Sequence, residues 1–134
     1  MEIIDELRNK KGFIAALDQS GGSSKRTLAN YGIGEELITS DEVMFDYIHK
    51  MRSRVITNEA FNDRILGVIL FENTMERDID GINTVKYLEN KGIPSFLKID
   101  VGLEDEDGGM QMLKEIPNLE KKLEKAKSYG IVGT

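Results

Sequence analysis

The stretch Ile65-Leu66-Gly67-Val68-Ile69-Leu70-Phe71 decides the fold of this chain. Every residue in it except the glycine is a large apolar one, whereas a strand with one wet face alternates apolar and polar residues. Such a strand is typical of a parallel sheet that is covered on both faces. The stretch therefore predicts an α/β protein in which both faces of this strand are covered.

Helical and strand patterns alternate on either side of this stretch. Further strands are predicted at 13–17 and 95–100, and a fourth is predicted to begin at 131–134. Helices are predicted at 2–10, from Ser23 or Ser24 to Asn30, from Thr39 onward, at 84–90 and at 117–129. This alternation implies a parallel sheet with right-handed crossovers.

A (β/α)8 barrel is built from such alternating units. It needs roughly 200 to 400 residues, and this chain has 134. We therefore expect residues 1–134 to form the N-terminal part of a single barrel domain, with the first three β/α units and the start of the fourth strand.

The helix that begins near Thr39 has the signature of a capping box, with Thr39 as the N-cap and Glu42 three residues later. Its apolar residues share one face at helical spacing, and they are Val43, Met44, Tyr47, Ile48, Met51 and Val55. His49 falls off that face, so we expect it to lie on the solvent side of the helix.

Composition and charge exclude several classes of protein. The chain has 24 acidic and 18 basic residues and a formal charge of −6, so it lacks the basic surplus of nucleic-acid-binding domains. No run approaches the ~20 apolar residues that span a bilayer, and the N-terminal residues do not resemble a secretory signal. We therefore expect a cytoplasmic protein that contacts neither nucleic acid nor a membrane. With no cysteine and one histidine, disulfides are excluded and a metal site is not expected.

Ionisable residues close all three complete strands. Asp18 follows the first, Glu72 the second, and Lys98 with Asp100 the third. Functional groups of parallel α/β proteins gather at these carboxyl ends. Strand alternation puts Lys98 and Asp100 on the face of Phe96, toward the barrel interior, where a lysine needs a carboxylate such as Asp18 or Asp100. Charges at strand ends also simply mark the exit into solvent, and this alternative applies above all to Glu72.

The loop after the first strand, Ser20-Gly21-Gly22-Ser23-Ser24, precedes a helix. Free N–H groups, hydroxyls and the positive end of the helix dipole can hold a phosphate there. The loop lacks the lysine of a P-loop and the pattern G-x-G-x-x-G, so a flexible turn with a serine cap is the alternative. The acidic run at 104–107 lacks the spacing of an EF-hand and is expected to be a solvated loop.

Three segments occur together in one order and spacing: GFIAALDQSGGS at 12–23, ILGVILFE at 65–72 and FLKIDVGL at 96–103. They resemble class I fructose-bisphosphate aldolase of the bacterial type, and the similarity extends over residues 11–134. The resemblance implies a (β/α)8 barrel that reversibly cleaves fructose 1,6-bisphosphate into dihydroxyacetone phosphate and glyceraldehyde 3-phosphate, in glycolysis and gluconeogenesis. It also implies a phosphosugar substrate, no cofactor, and a full-length protein that can form homo-oligomers.

The resemblance implies catalytic and binding roles for four residues. Asp18 matches the first-strand aspartate that assists proton transfer and carbon–carbon cleavage in this family. Ser20 and Ser23 match hydroxyls that hold the aldehyde-side phosphate, and Lys98 matches the third-strand lysine that contacts the same phosphate. These residue types suit the chemistry, because a doubly phosphorylated sugar needs cationic donors and a retro-aldol step needs a carboxylate.

Some positions depart from the family. Val101 stands where relatives often have a lysine, and alternation points it away from the third-strand lysine. Gln19 replaces a glutamate of the animal-type enzymes, which fits the bacterial branch. The family forms its Schiff base on a lysine of the sixth strand, which is expected beyond these 134 residues, so we expect this chain alone to be inactive. Asp100 and Glu72 are expected to support the site.

Two other functions are open on the residues alone. A receiver-like signalling domain also places acidic residues and a lysine at strand ends, where they hold Mg²⁺ and a phosphoryl group. Such a domain needs five strands, and no adjacent pair of acidic residues ends the first strand here. Another lyase or isomerase that acts on phosphosugars is also compatible with a barrel.

Overall fold

The computed structural model describes residues 2–20 and 22–134, in which helices and strands alternate. The helices are α1 (Glu2–Asn9), α2 (Gly22–Asn30), α3 (Asp41–Thr57), α4 (Glu72–Met75), α5 (Thr84–Asn90) and α6 (Leu119–Tyr129). The strands are β1 (Phe13–Leu17), β2 (Ile65–Leu70), β3 (Asp78–Ile79), β4 (Ile82–Asn83) and β5 (Ser95–Leu97). The prediction of an α/β protein is confirmed. None of the described helices combines the length and the apolar character needed to cross a membrane.

Strands β1, β2 and β5 form a parallel sheet in that order, as the alternation predicts. The segment predicted to begin a fourth strand lies beside β5. There Gly133 forms a parallel bridge with Phe96, and the N–H of Leu97 donates to the Gly133 carbonyl oxygen at 3.0 Å. The sheet therefore grows in chain order from β1 through β2 and β5 to residues 131–133.

Helices cover one face of this sheet. Val68, Leu70 and Leu97 are buried on that face. The same core holds residues from four helices, which are Ile56, Met75, Leu88 and Ala126. Burying each of the large side chains in this set, all but Ala126, contributes roughly 1.5 to 3 kcal/mol, so this face carries most of the packing that holds the sheet.

The opposite face of the sheet is open. Ile14 is 45% exposed, and Ile69 and Phe96 are only half-buried. A cavity lies on this face, and among the described helices only α1 contributes to its lining, through Leu7. The prediction that both faces of the second strand are covered is therefore met on one face, because the other described helices pack against the opposite side.

A second core lies between α2 and α3 and consists of Leu28, Met44 and Ile48. The N-cap of α3 is Ser40, whose hydroxyl accepts a hydrogen bond from the N–H of Val43 at 3.2 Å. The prediction of Thr39 as the N-cap is therefore wrong by one residue. The reason is that Ser40 has the extended backbone of an N-cap residue and reaches the third N–H of the helix.

The predicted solvent position of His49 is wrong. This residue is half-buried, and its Nε2 lies 2.7 Å from the carbonyl oxygen of Asp78. The sequence did not predict the two short strands β3 and β4, which form an antiparallel hairpin. The hairpin brings the Asp78 carbonyl to α3 and covers the face of the helix that carries His49.

The third strand is shorter than predicted. The strand β5 ends at Leu97, although the N–H of Lys98 still donates to the Leu70 carbonyl oxygen at 2.9 Å. The prediction of a strand through residue 100 is therefore wrong. The side chain of Asp100 accepts a hydrogen bond from the N–H of Gly102 at 3.1 Å, and this contact turns the chain out of the sheet.

Residues 103–114 form an exposed arm, whose two sides meet at an antiparallel bridge between Leu103 and Leu113. The acidic run at 104–107 forms one side of this arm and is exposed, as predicted. The last helix begins two residues later than predicted and ends at Gly130, which has φ +94°. A glycine adopts this left-handed conformation without strain, so it ends the helix and returns the chain to the sheet.

Candidate active site

A cavity of about 470 Å³ lies on the open face of the sheet. Its lining is apolar where the strands supply Ile14 and Phe96, and polar where Asp18, Lys98 and Asp100 follow the strand ends. Side chains two residues apart on a strand share a face, so Asp18 continues the row that includes Ile14 and Lys98 follows Phe96. The fold thus brings together three of the residues that the sequence singled out.

Lys98 and Asp100 form an ion pair in this cavity. The Lys98 ammonium group donates to Asp100 Oδ1, and the N–H of Gly102 donates to Oδ2 at 3.1 Å. The hydrogen bond from Lys98 is the main cause that lowers the pKa of Asp100; desolvation opposes the shift, and the Gly102 N–H and the Lys98 charge reinforce it. Asp100 is therefore ionised at neutral pH and fixes the ammonium group. With 21% of its side chain exposed, Lys98 remains accessible to a small anion.

A buried arginine that the sequence analysis missed lies beside Asp18. Arg52 of α3 is 0% exposed. Its guanidinium group donates to Thr74 Oγ1 at 2.6 Å and to the Gln19 carbonyl oxygen at 2.5 Å. Burial lowers the pKa of Arg52 to about 10, and the negative charge of Asp18 partly opposes this shift. Arg52 is still protonated at neutral pH, so its positive charge acts on Asp18.

The position of Arg52 carries a signal in the sequence. The buried residues of α3 recur at every fourth position, and they are Met44, Ile48, Arg52 and Ile56. Charged side chains are almost never fully buried unless they have partners, so an arginine in an apolar stripe indicates a polar contact nearby. The stripe predicted from the sequence passed through Met51 and Val55, and it therefore missed the arginine between them.

Ser20 and Ser23 lie at the beginning of α2. The N–H and the hydroxyl of Ser23 both donate to the Ser20 carbonyl oxygen, each at 3.3 Å. The side chain of Ser23 is exposed and that of Ser20 half-buried, while Gly21 of the same loop lies outside the described residues. As far as the loop is described, the two serines do not line the cavity that holds Lys98. Their role with a phosphate stays a prediction.

Glu72 does not line this cavity either. It begins α4, and its Oε1 lies 3.1 Å from Nζ of Lys125 in α6. Lys125 also pairs with Glu76, the C-cap residue of α4. More than a third of each of these side chains is exposed, and ion pairs of this kind contribute about 0 to 1 kcal/mol. Glu72 thus links two helices, and its supporting role in the site stays a prediction.

The cavity combines a cationic donor, Lys98, with the carboxylate of Asp18, which is not part of the ion pair between Lys98 and Asp100. A lysine ammonium group binds phosphate or carboxylate oxygens through charge-assisted hydrogen bonds. A carboxylate within reach of the same ligand can accept or return a proton. Within residues 2–20 and 22–134, no group of three His, Cys, Asp or Glu side chains is arranged to hold a metal ion. The described arrangement can therefore bind an anionic ligand and move a proton on it.

Comparison with known proteins identifies the fold. No protein-family model matches the chain. The structure is similar to a fructose-bisphosphate aldolase from Plasmodium falciparum, solved as a ternary complex with TRAP and a small-molecule inhibitor. The similarity has a TM-score of 0.73 at 20% sequence identity and covers 97% of this chain. The chain spans 38% of the length of that aldolase. The chain therefore has an aldolase-like α/β fold over nearly its whole length.

Proposed function

We propose that the protein containing this chain is a class I fructose-bisphosphate aldolase of the bacterial type. In this proposal it is a (β/α)8 barrel that cleaves fructose 1,6-bisphosphate reversibly into dihydroxyacetone phosphate and glyceraldehyde 3-phosphate, in glycolysis and gluconeogenesis. One observation carries the proposal: Asp18 and Lys98, the residues that match the family's aspartate and phosphate-binding lysine, line one cavity in an aldolase-like sheet.

The barrel is supported by the sheet itself. Its strands add in chain order, and its open face is apolar, with Ile14 45% exposed. In a (β/α)8 barrel the outer face of the sheet packs against helices, and the inner face packs against side chains from the remaining strands. The helix-covered face and the open face of this sheet correspond to those two surfaces.

The chemistry assigns each residue a task. Lys98, fixed by Asp100, is the cation for the aldehyde-side phosphate, and the hydroxyls of Ser20 and Ser23 are further donors to the same phosphate. Asp18 takes the proton from the substrate hydroxyl while the carbon–carbon bond breaks. In this proposal the electrons of that bond pass into an imine formed with a lysine outside these 134 residues, so no metal or other cofactor is needed.

The order of the strands argues against a receiver-like signalling domain. In that doubly wound fold the first strand lies between the second and the third. Here β2 lies between β1 and β5. Another phosphosugar lyase or isomerase shares the barrel expectation and is distinguished by its substrate.

The proposal is tested by the reaction of the whole protein with fructose 1,6-bisphosphate, with release of dihydroxyacetone phosphate followed in a coupled assay. We expect turnover by the wild type and a loss of about 10² to 10⁴-fold in kcat for Asp18→Asn, the range typical of a general acid–base group. Asp63→Asn is the matched control, because Asp63 is exposed and lies outside the cavity. A folded wild-type protein without turnover contradicts the proposal.

A further inference from the structure

We propose that Arg52 is a positioning residue that holds Asp18, and the segment that follows it, at the carboxyl end of β1; the inference rests on the proposed aldolase activity. Arg52 is 0% exposed, so it does not reach the substrate. It acts through the groups that it contacts.

The hydrogen bonds of Arg52 join the ends of two strands. Gln19 directly follows Asp18, and both its carbonyl oxygen and its Oε1 accept from Arg52 Nη2, at 2.5 Å and 3.2 Å. Nη1 donates to Oγ1 of Thr74, a residue of α4, at 2.6 Å. Since β1 leads directly to Gln19 and β2 directly to α4, one side chain of α3 fixes the exits of both strands.

The charge of Arg52 has no carboxylate partner among the residues that the structure describes. Across residues 2–20 and 22–134, no carboxylate oxygen lies within ion-pair distance of its guanidinium group. Asp18 is the acid whose charge acts on it. Burying a cation without a paired anion is costly, and a methionine would fill the same place in the stripe without that cost. Charged groups kept buried at such cost concentrate at functional sites.

The contacts also explain how Arg52 affects the direction of Asp18. The attraction between the charges of Asp18 and Arg52 acts without an ion pair and does not by itself fix the carboxylate. The hydrogen bonds to the carbonyl oxygen and the Oε1 of Gln19 fix the residue that directly follows Asp18. A displacement of about 1 Å in a reacting group can lower a rate about 100-fold, so loss of both restraints should be visible in turnover.

Kinetics of the whole protein test the proposal. We expect Arg52→Met to lower kcat about 100-fold. KM for fructose 1,6-bisphosphate should rise by a much smaller factor, because Lys98 is untouched and only the loop with Ser20 and Ser23 is loosened. Arg52→Lys should recover part of kcat, since it keeps the charge near Asp18 but loses the forked donor. Arg54→Met is the matched control, because Arg54 is an exposed residue of the same helix, and it should leave both constants unchanged.

A purely structural role would give a different result. Arg52→Met would then lower the melting temperature, while kcat at a temperature where the variant is folded would stay within about threefold of the wild type. That result overturns the proposal. Equal kcat values for Arg52→Met and Arg52→Lys would overturn the part of it that rests on charge.

Amide hydrogen exchange separates this inference from the proposed function. Arg52→Met should accelerate exchange at residues 18–20 and 22–24 and leave the protection of α3 and β2 unchanged. Unchanged exchange at those residues overturns the positioning role, whatever the activity. If the folded wild type does not cleave fructose 1,6-bisphosphate, the aldolase proposal and the kinetic role of Arg52 both fail. Faster exchange in Arg52→Met would then show only that Arg52 restrains the segment after β1.

Discussion

Truncation of one apolar residue on each face of the sheet tests whether one face is open. Leu70→Ala and Ile14→Ala remove the same number of carbon atoms from neighbouring strands. Leu70 is 0% exposed beneath the helices, whereas Ile14 is 45% exposed on the opposite face. The two variants therefore differ in the surroundings of the deleted atoms and not in their number.

The burial of the two residues sets the expected magnitudes. Truncating a fully buried leucine loses its transfer free energy and leaves a cavity, so Leu70→Ala should lower the free energy of unfolding by about 3 to 5 kcal/mol. Ile14 already has almost half of its surface in water, and water fills the space that the truncation leaves. Ile14→Ala should therefore cost about 1 kcal/mol, well below the cost at Leu70.

Native-state hydrogen exchange of the β2 amides measures the effect in the 134-residue chain. The method reports the opening free energy of the sheet and does not require global two-state unfolding. Val55→Ala, at an exposed position of α3, serves as the control for truncation at a surface site. An Ile14→Ala cost equal to that of Leu70→Ala would show that the open face is covered in solution, and would refute the reasoning.

The same variant tests the barrel in the whole protein. If the remaining strands enclose Ile14, its truncation should cost about 2 to 5 kcal/mol there, as for a buried isoleucine. A cost that stays near 1 kcal/mol in the whole protein would contradict the barrel.

Three further predictions concern the site. Lys98→Met in the whole protein should lower kcat/KM by a factor that corresponds to about 2 to 4 kcal/mol of lost transition-state stabilisation. A kcat/KM within about threefold of the wild type in steady-state kinetics would remove Lys98 from the site. Because the pKa of Asp100 is lowered in the fold, its contribution to stability is present above its unfolded pKa and is lost as pH falls through the folded pKa. Asp100→Asn should therefore lower the opening free energy at about pH 7 and not at about pH 2; an equal effect at both would contradict the ion pair. Borohydride with dihydroxyacetone phosphate should label the whole protein irreversibly and its activity should survive chelators, whereas activity lost in EDTA and restored by zinc would contradict a Schiff-base enzyme.

The parallel sheet and its helices were predictable because their signals are local. The apolar run of β2, the helix Thr84–Asn90 and the strand Phe13–Leu17 all match their predicted bounds to within one residue. The start of the fourth strand was also found, since a glycine ends the helix before it and apolar residues follow. These patterns depend on residues close together in sequence, and the fold does not alter them.

Two of the remaining differences come from contacts between distant segments. The place of His49 depends on a hairpin almost 30 positions later, at Asp78. Periodicity on one helix cannot show that an arginine on its apolar face meets Gln19, which lies 33 positions earlier. In each case the residue itself was visible in the sequence, but the distant group that it contacts could not be found from the local pattern.

The open face and the candidate site belong to one surface. Ile14 and Phe96 form the apolar part of the cavity whose polar part is Asp18 and Lys98. In a barrel, layers of inward side chains fill the interior beneath a site at the carboxyl ends of the strands. Under the proposed function, the side chains that bury Ile14 would therefore also support the residues that hold the phosphosugar. We expect Ile14→Ala to lower both the stability and the kcat of the whole protein. Val55→Ala, at a position 40% exposed, should cost no more than about 1 kcal/mol and leave kcat unchanged. A stability loss at Ile14 with unchanged kcat would show that the interior and the site are independent.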